Sequence, residues 1–211
     1  MNLETFREQQ QTTEGVRDIL LTWRAIQSNH YPDTALYLQW LVFRIMLAYD
    51  LDVVSQMSLD SDFGPTACAG PGKPDLCILG DGIGYALEVT ERPVLGKIEH
   101  YGHIGWMLEH FGLSESIGCL VARVTTTDIP PEVWSAYKAE YSHSGRLFMA
   151  CGVDFLVDLL RKDPRTGGRD FIHFLAEARR LWVGPSGWKE IKASVAELQR
   201  EILSSPSPIG K

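Results

Sequence analysis

Two acidic residues, Asp75 and Glu88, bracket a turn at a spacing that suits a divalent cation. Residues 76–79 and 85–90 are short apolar runs on either side of Gly80-Asp81-Gly82-Ile83. Asp-Gly supplies the positive φ angles of a two-residue turn, so the segment reads as a β-hairpin. With Asp81 and Gly82 at the turn, Gly80 pairs with Ile83, and counting outward sets Asp75 opposite Glu88. Opposed side chains lie roughly 4.5–5.5 Å apart at Cβ, where like charges are destabilising. A cation such as Mg²⁺ relieves that repulsion, because it takes oxygen ligands: one or two carboxylates, waters and phosphate oxygens. The chemistry implied is metal-assisted attack on a phosphate. The competing reading is a solvated acidic pair on an edge hairpin, and a turn one residue longer breaks the register.

Strand alternation puts Cys77, Ala86 and Thr90 on the carboxylate face, with Leu76, Ile78, Tyr85, Leu87 and Val89 on the other. The first face is expected to be the site and the second the core. Small residues at 77 and 86 leave room for a metal and a scissile phosphate, and Thr90 stands where it can orient an attacking water. Downstream, Glu99, His103, Trp106 and His110 share one face of a helix expected over 96–111. Glu99 and His103 read equally as extensions of a metal or water network and as a solvated face; His110 fits the solvated face better.

The elements around the hairpin give an α/β fold, a small mixed sheet flanked by helices with a helical C-terminal part. Helices are expected at 16–27, 35–49, 131–141, 153–161, 169–181 and 188–202, and further strands at 119–125 and 146–151. The 35–49 helix is apolar nearly all round, apart from Gln39 and Arg44. Residues 60–74 read as a Gly/Pro-rich loop. The 211 residues suffice for one domain over 1–203, with 204–211 as a disordered tail.

No stretch approaches a membrane span, the N-terminus lacks a secretory apolar core, and a cytoplasmic location is expected. The four cysteines lack CxxC spacing and read as buried hydrophobes. A net charge of -7 opposes a polyanion, so a chain that acts on DNA is expected to reach it with a partner. The cluster Arg161, Lys162, Arg165 and Arg169 reads as a solvated connection between helices.

Pro74-Asp75 followed by Glu88-Val89-Thr90 resembles the PD-(D/E)XK nuclease superfamily, with Thr90 where that family usually has lysine. The approach run over 65–75 (PTACAGPGKPD) and the Glu-Val-Thr strand look like the AlwI-type restriction endonucleases, a group that includes type IIS enzymes and small cleavage subunits of heterodimeric ones. The resemblance covers residues 31–162 in motifs. It implies Mg²⁺, or Mn²⁺ as a substitute, on Asp75, Glu88 and the Val89 main-chain carbonyl, with Thr90 in the catalytic lysine position. Relatives tend to carry acids where this chain has Gln39 and His103. The resulting expectation is a Mg²⁺-dependent type II (IIS-like) restriction endonuclease subunit. It would cut one strand of double-stranded DNA, paired with a larger sequence-reading subunit or with a second copy. A non-catalytic nuclease-like scaffold and another DNA nuclease of the same fold, in repair, transposition or phage defence, are the alternatives.

Overall fold

The hairpin forms in the register that its turn dictates. In the computed structural model, which describes residues 1–80, 82–93, 100–183 and 187–206, strand β4 (Leu76–Gly80) pairs antiparallel with β5 (Ile83–Thr90). The partners run from Gly80 with Ile83 to Leu76 with Leu87. Gly82 has φ 79°, as the turn requires; Asp81 lies outside the described residues.

A five-stranded mixed sheet in the order β1-β4-β5-β6-β7 is built around this hairpin. β1 (Val53–Ser55) covers the free edge of β4, while β6 (Glu115–Ala122) and β7 (Leu147–Gly152) add in parallel beyond β5. β6 begins four residues earlier than expected and ends at Ala122. The 60–74 segment is not all loop, because β2 (Ser58–Leu59) and β3 (Pro65–Ala67) pair there as a small second sheet.

Helix α3 (Thr34–Ala48) is buried along most of its length and packs on β5. α1 (Leu3–Gln11) and α2 (Thr13–Gln27) cover its outer side. Arg44 is 3 % exposed and is satisfied by α1 and α2: its guanidinium donates to Gln10 (2.8 Å), Thr22 (3.2 Å) and Asp18 (2.7 Å) and lies over the Trp40 ring. Burial lowers its pKa, and the Asp18 partner opposes that shift. α4 (His100–Phe111) lies across β5 and β6.

α5 (Pro131–Ser144), α6 (Val153–Lys162), α7 (Pro164–Ala176), α8 (Ala178–Val183) and α9 (Trp188–Ser204) complete the helical C-terminal part. The helix expected over 169–181 is therefore two, divided at Glu177. Ser204 belongs to α9 rather than to a tail, and 207–211 lie outside the described residues. Nor is the 161–169 cluster a loop. Arg161 and Lys162 end α6, Arg165 and Arg169 lie in α7, and each is paired with a carboxylate, Asp158, Asp170, Asp163 and Asp170 respectively. Among the described residues no helix is long and apolar enough to cross a membrane.

Gly167 shows how tightly α7 is set. A Cβ there would stand 2.4 Å from the Tyr49 ring, which is itself pinned by a hydroxyl hydrogen bond to the Leu156 carbonyl. In an exposed helix Gly→Ala stabilises by about 1 kcal/mol. Here Gly167→Ala is expected to destabilise by about 1–3 kcal/mol through overpacking; a urea midpoint below that of the wild type checks the sign.

Candidate metal centre

The hairpin ladder stops where the site begins. Continuing the register past Leu76 and Leu87 sets Pro74 opposite Val89, and proline has no N–H for the ladder. The Asp75 carboxylate steps in: Oδ2 accepts the Val89 N–H at 2.7 Å. The other oxygen, Oδ1, accepts from the Gln39 amide of α3 at 2.8 Å. Gln39 is fixed in that sense because its Oε1 takes the Ala69 N–H from the approach loop at 3.3 Å. A residue of an apolar helix thereby ties the Gly/Pro-rich loop to the carboxylate.

Glu88 sits on the other strand, with the imidazole of His103 from α4 at 3.1 Å from its carboxylate (Nδ1 to Oε2). Asp75 and His103 are each 5 % exposed, and the Glu88 side chain keeps 23 % of its surface. Burial first, and then the Glu88 carboxylate, push the Asp75 carboxyl up to about 8, while the Val89 N–H pulls it down. Among the described residues no cation acts on it. Two neighbouring carboxyl groups at the end of the hairpin fit a divalent ion in kind, since the donors are hard oxygens. Each Asp75 oxygen has one N–H partner and retains acceptor capacity.

The residues named from sequence mostly converge. Gln39 contacts Asp75 and His103 contacts Glu88, the two carboxyl groups act on each other electrostatically, and Val89 stands beside Asp75 through its N–H. Thr90 lies at the end of β5, where its hydroxyl donates to the Arg92 carbonyl (3.1 Å) and accepts the Arg92 N–H (3.3 Å). Glu99 falls outside the described residues. Among those described, no three His, Cys, Asp or Glu side chains group as a metal site, so the candidate donors are two carboxylates and main chain. The Ala69 N–H was not foreseen, since a main-chain donor leaves no mark in residue type.

The space expected over Cys77 and Ala86 does not exist. α4 lays Met107 onto them as a small second core, with Trp106, Phe111 and Leu113 around it. Gly84, on the same face, is approached so closely that a Cβ would meet Leu113 at 2.4 Å and Met107 at 2.6 Å. Room for a substrate is therefore confined to the strand ends at Asp75 and Glu88. His103 likewise faces inward from α4 and is buried; Trp106 and His110 stack on each other farther along the helix, with centroids 4.4 Å apart.

No protein-family model matches the chain, and neither does any curated protein sequence. The fold has a solved counterpart, the small subunit of a heterodimeric restriction endonuclease. It superposes with a TM-score of 0.66 at 13% sequence identity, over 88% of this chain and 98% of that one. The chain has a restriction-endonuclease-like fold. At that identity the likeness carries the mixed sheet and its flanking helices, and it does not single out the AlwI type.

Proposed function

We propose that this chain is the DNA-cutting subunit of a heterodimeric restriction-type endonuclease and hydrolyses one strand of a duplex. The observation that carries the reading is the Asp75–Glu88 pair at the open end of a hairpin in a restriction-endonuclease-like sheet. Mg²⁺, with Mn²⁺ as a substitute, would be held by Asp75, Glu88 and the Val89 carbonyl; when bound it polarises the phosphate and lowers the pKa of an attacking water.

The protein's own part is positioning. Gln39 and the Val89 N–H hold the two Asp75 oxygens, and His103 holds Glu88 from the far side. Thr90 lies at the same strand end with a hydroxyl that reaches the 92 main chain. One such centre cuts one strand, so a double-strand break needs a second centre, on a larger sequence-reading subunit or on a second copy. The net charge of -7 favours the larger subunit.

Conversion of supercoiled plasmid to the nicked circle, dependent on Mg²⁺ and abolished by chelation, is the expected activity. Linear product from the isolated monomeric chain, or no product even with a sequence-reading subunit, would count against it. Gln39→Ala removes the amide from Asp75 and is expected to weaken Mn²⁺ binding by about 10–100-fold, the usual cost of losing an outer partner of a ligand; calorimetry on the folded variant reads this directly.

One observation favours a second reading. Gln39 and His103 leave two acids where the fold's metal sites would be richer in charge, consistent with a non-catalytic scaffold that positions DNA. Absence of metal binding with duplex present selects that reading.

A further inference from the structure

Lys73 reaches the face of the hairpin that bears the carboxylates. It is exposed, follows Gly72 (φ 80°) and immediately precedes the buried Pro74-Asp75. Its ammonium lies over the Trp106 ring, 5.9 Å from the centroid. Trp106 is itself held firmly: it stacks on His110 at 14°, meets the Phe111 ring edge-on at 5.8 Å, and packs against the Cys77–Ala86–Met107 cluster. Those are the neighbours of Asp75 and Glu88 on the same strands, and Trp106 lies one helical turn beyond His103, which touches Glu88.

Two other cations near the site are engaged, whereas Arg92, beyond the end of β5, is exposed. Arg44 is buried among Gln10, Thr22 and Asp18, and Arg123 is bound to Glu91, Asn29 and the Ile26 carbonyl. Lys73 forms no ion pair among the described residues. In an acidic chain whose candidate centre is a pair of carboxylates, a DNA strand needs local positive charge to approach. A lysine resting on an indole has that charge desolvated on one side and free on the other, and its flexible stem lets it leave the ring for a phosphate.

We propose that Lys73 binds a backbone phosphate of the duplex beside the one to be cut, with Trp106 as the residue that positions it. The proposal rests on the nuclease reading, yet it concerns binding rather than hydrolysis. The test is anisotropy of a short fluorescent duplex with the full chain in Ca²⁺, across a salt series. Loss of one phosphate contact lowers the slope of log K against log salt by about 0.9.

Lys73→Ala is expected to weaken binding and reduce the slope by that amount, whereas Lys73→Arg keeps the slope. Trp106→Leu is expected to weaken binding while adding nothing to Lys73→Ala in the double variant, a result that general damage to the fold would not give. Lys73 is exposed, so Lys73→Ala tests the contact without disturbing the core. An unchanged slope in Lys73→Ala, or no duplex binding by the wild type at low salt, overturns the proposal. Cleavage by Glu88→Ala bears on the metal reading alone, so the two can fail separately.

Discussion

Glu88→Ala is expected to lower metal-dependent nicking by about three decades, because a bound metal supplies several kcal/mol of transition-state stabilisation and each decade is about 1.4 kcal/mol. Glu88 is the more exposed member of the pair, and its side chain contributes little to the main core. Its removal also takes away the carboxylate that raises Asp75. The folded protein should therefore survive, and its thermal midpoint should not fall. Gel quantification of the nicked circle at saturating Mg²⁺, set beside a melting curve, separates loss of chemistry from loss of fold. Nicking within tenfold of the wild type by a folded Glu88→Ala protein would move the site elsewhere.

The second large effect concerns stability rather than rate. An unfolded aspartate titrates near its ordinary 3.8, whereas burial and Glu88 push Asp75 in the fold up to about 8. Between those values the folded protein binds the extra proton, so its stability is highest below about pH 4 as far as this group is concerned, and is lost as pH rises through about 8. Asp75→Asn cannot ionise. The asparagine still accepts the Val89 N–H, but its amide nitrogen faces the Gln39 amide, which must turn and give up its bond to the Ala69 N–H.

Near pH 4, where the Asp75 carboxyl is largely protonated in the folded and unfolded chain alike, the substitution is expected to be neutral or slightly destabilising in the metal-free protein. Near pH 9 it is expected to stabilise, and a gain of about 1–2 kcal/mol corresponds to roughly 2–8 °C for a chain of this size. Added Mn²⁺ should reverse the order at pH 9, raising the midpoint of the wild type and leaving Asp75→Asn unmoved. A midpoint difference between the two proteins that is the same at pH 4 and pH 9 would show that Asp75 is not the buried acid described here.

The hairpin was legible because an Asp-Gly turn stands between two short apolar runs. A two-residue turn gives the register observed, which brings Asp75 to Glu88, whereas residue types alone left a longer turn open. Gln39 was visible as a polar residue in an apolar helix and His103 as a member of a polar stripe, though neither showed which way it faced. The rotation of α4 about its axis is set by how Met107 packs on Cys77 and Ala86. No residue-type pattern announces that, which is why the face expected to be open turned out to be filled. β1 went unseen for a simpler reason: three residues on an edge carry too little alternation to register. α1 buries only Phe6 and Gln10, too narrow a stripe to mark an amphipathic helix, and it is secured by the Asn2 cap and by the Arg44 network. Arg44 itself gave no sign of its partners, since Gln10, Thr22 and Asp18 come from two other helices.

The central claim is that Asp75 and Glu88 form a metal centre. Calorimetric titration of Mn²⁺ into the wild type and into Glu88→Ala at pH 8.5, where Asp75 is largely ionised, tests it most directly. The expected result is saturable binding by the wild type, with protons released as Asp75 is deprotonated, and loss of that binding in the variant. Equal binding by both proteins, or none by the wild type with duplex present, would contradict it.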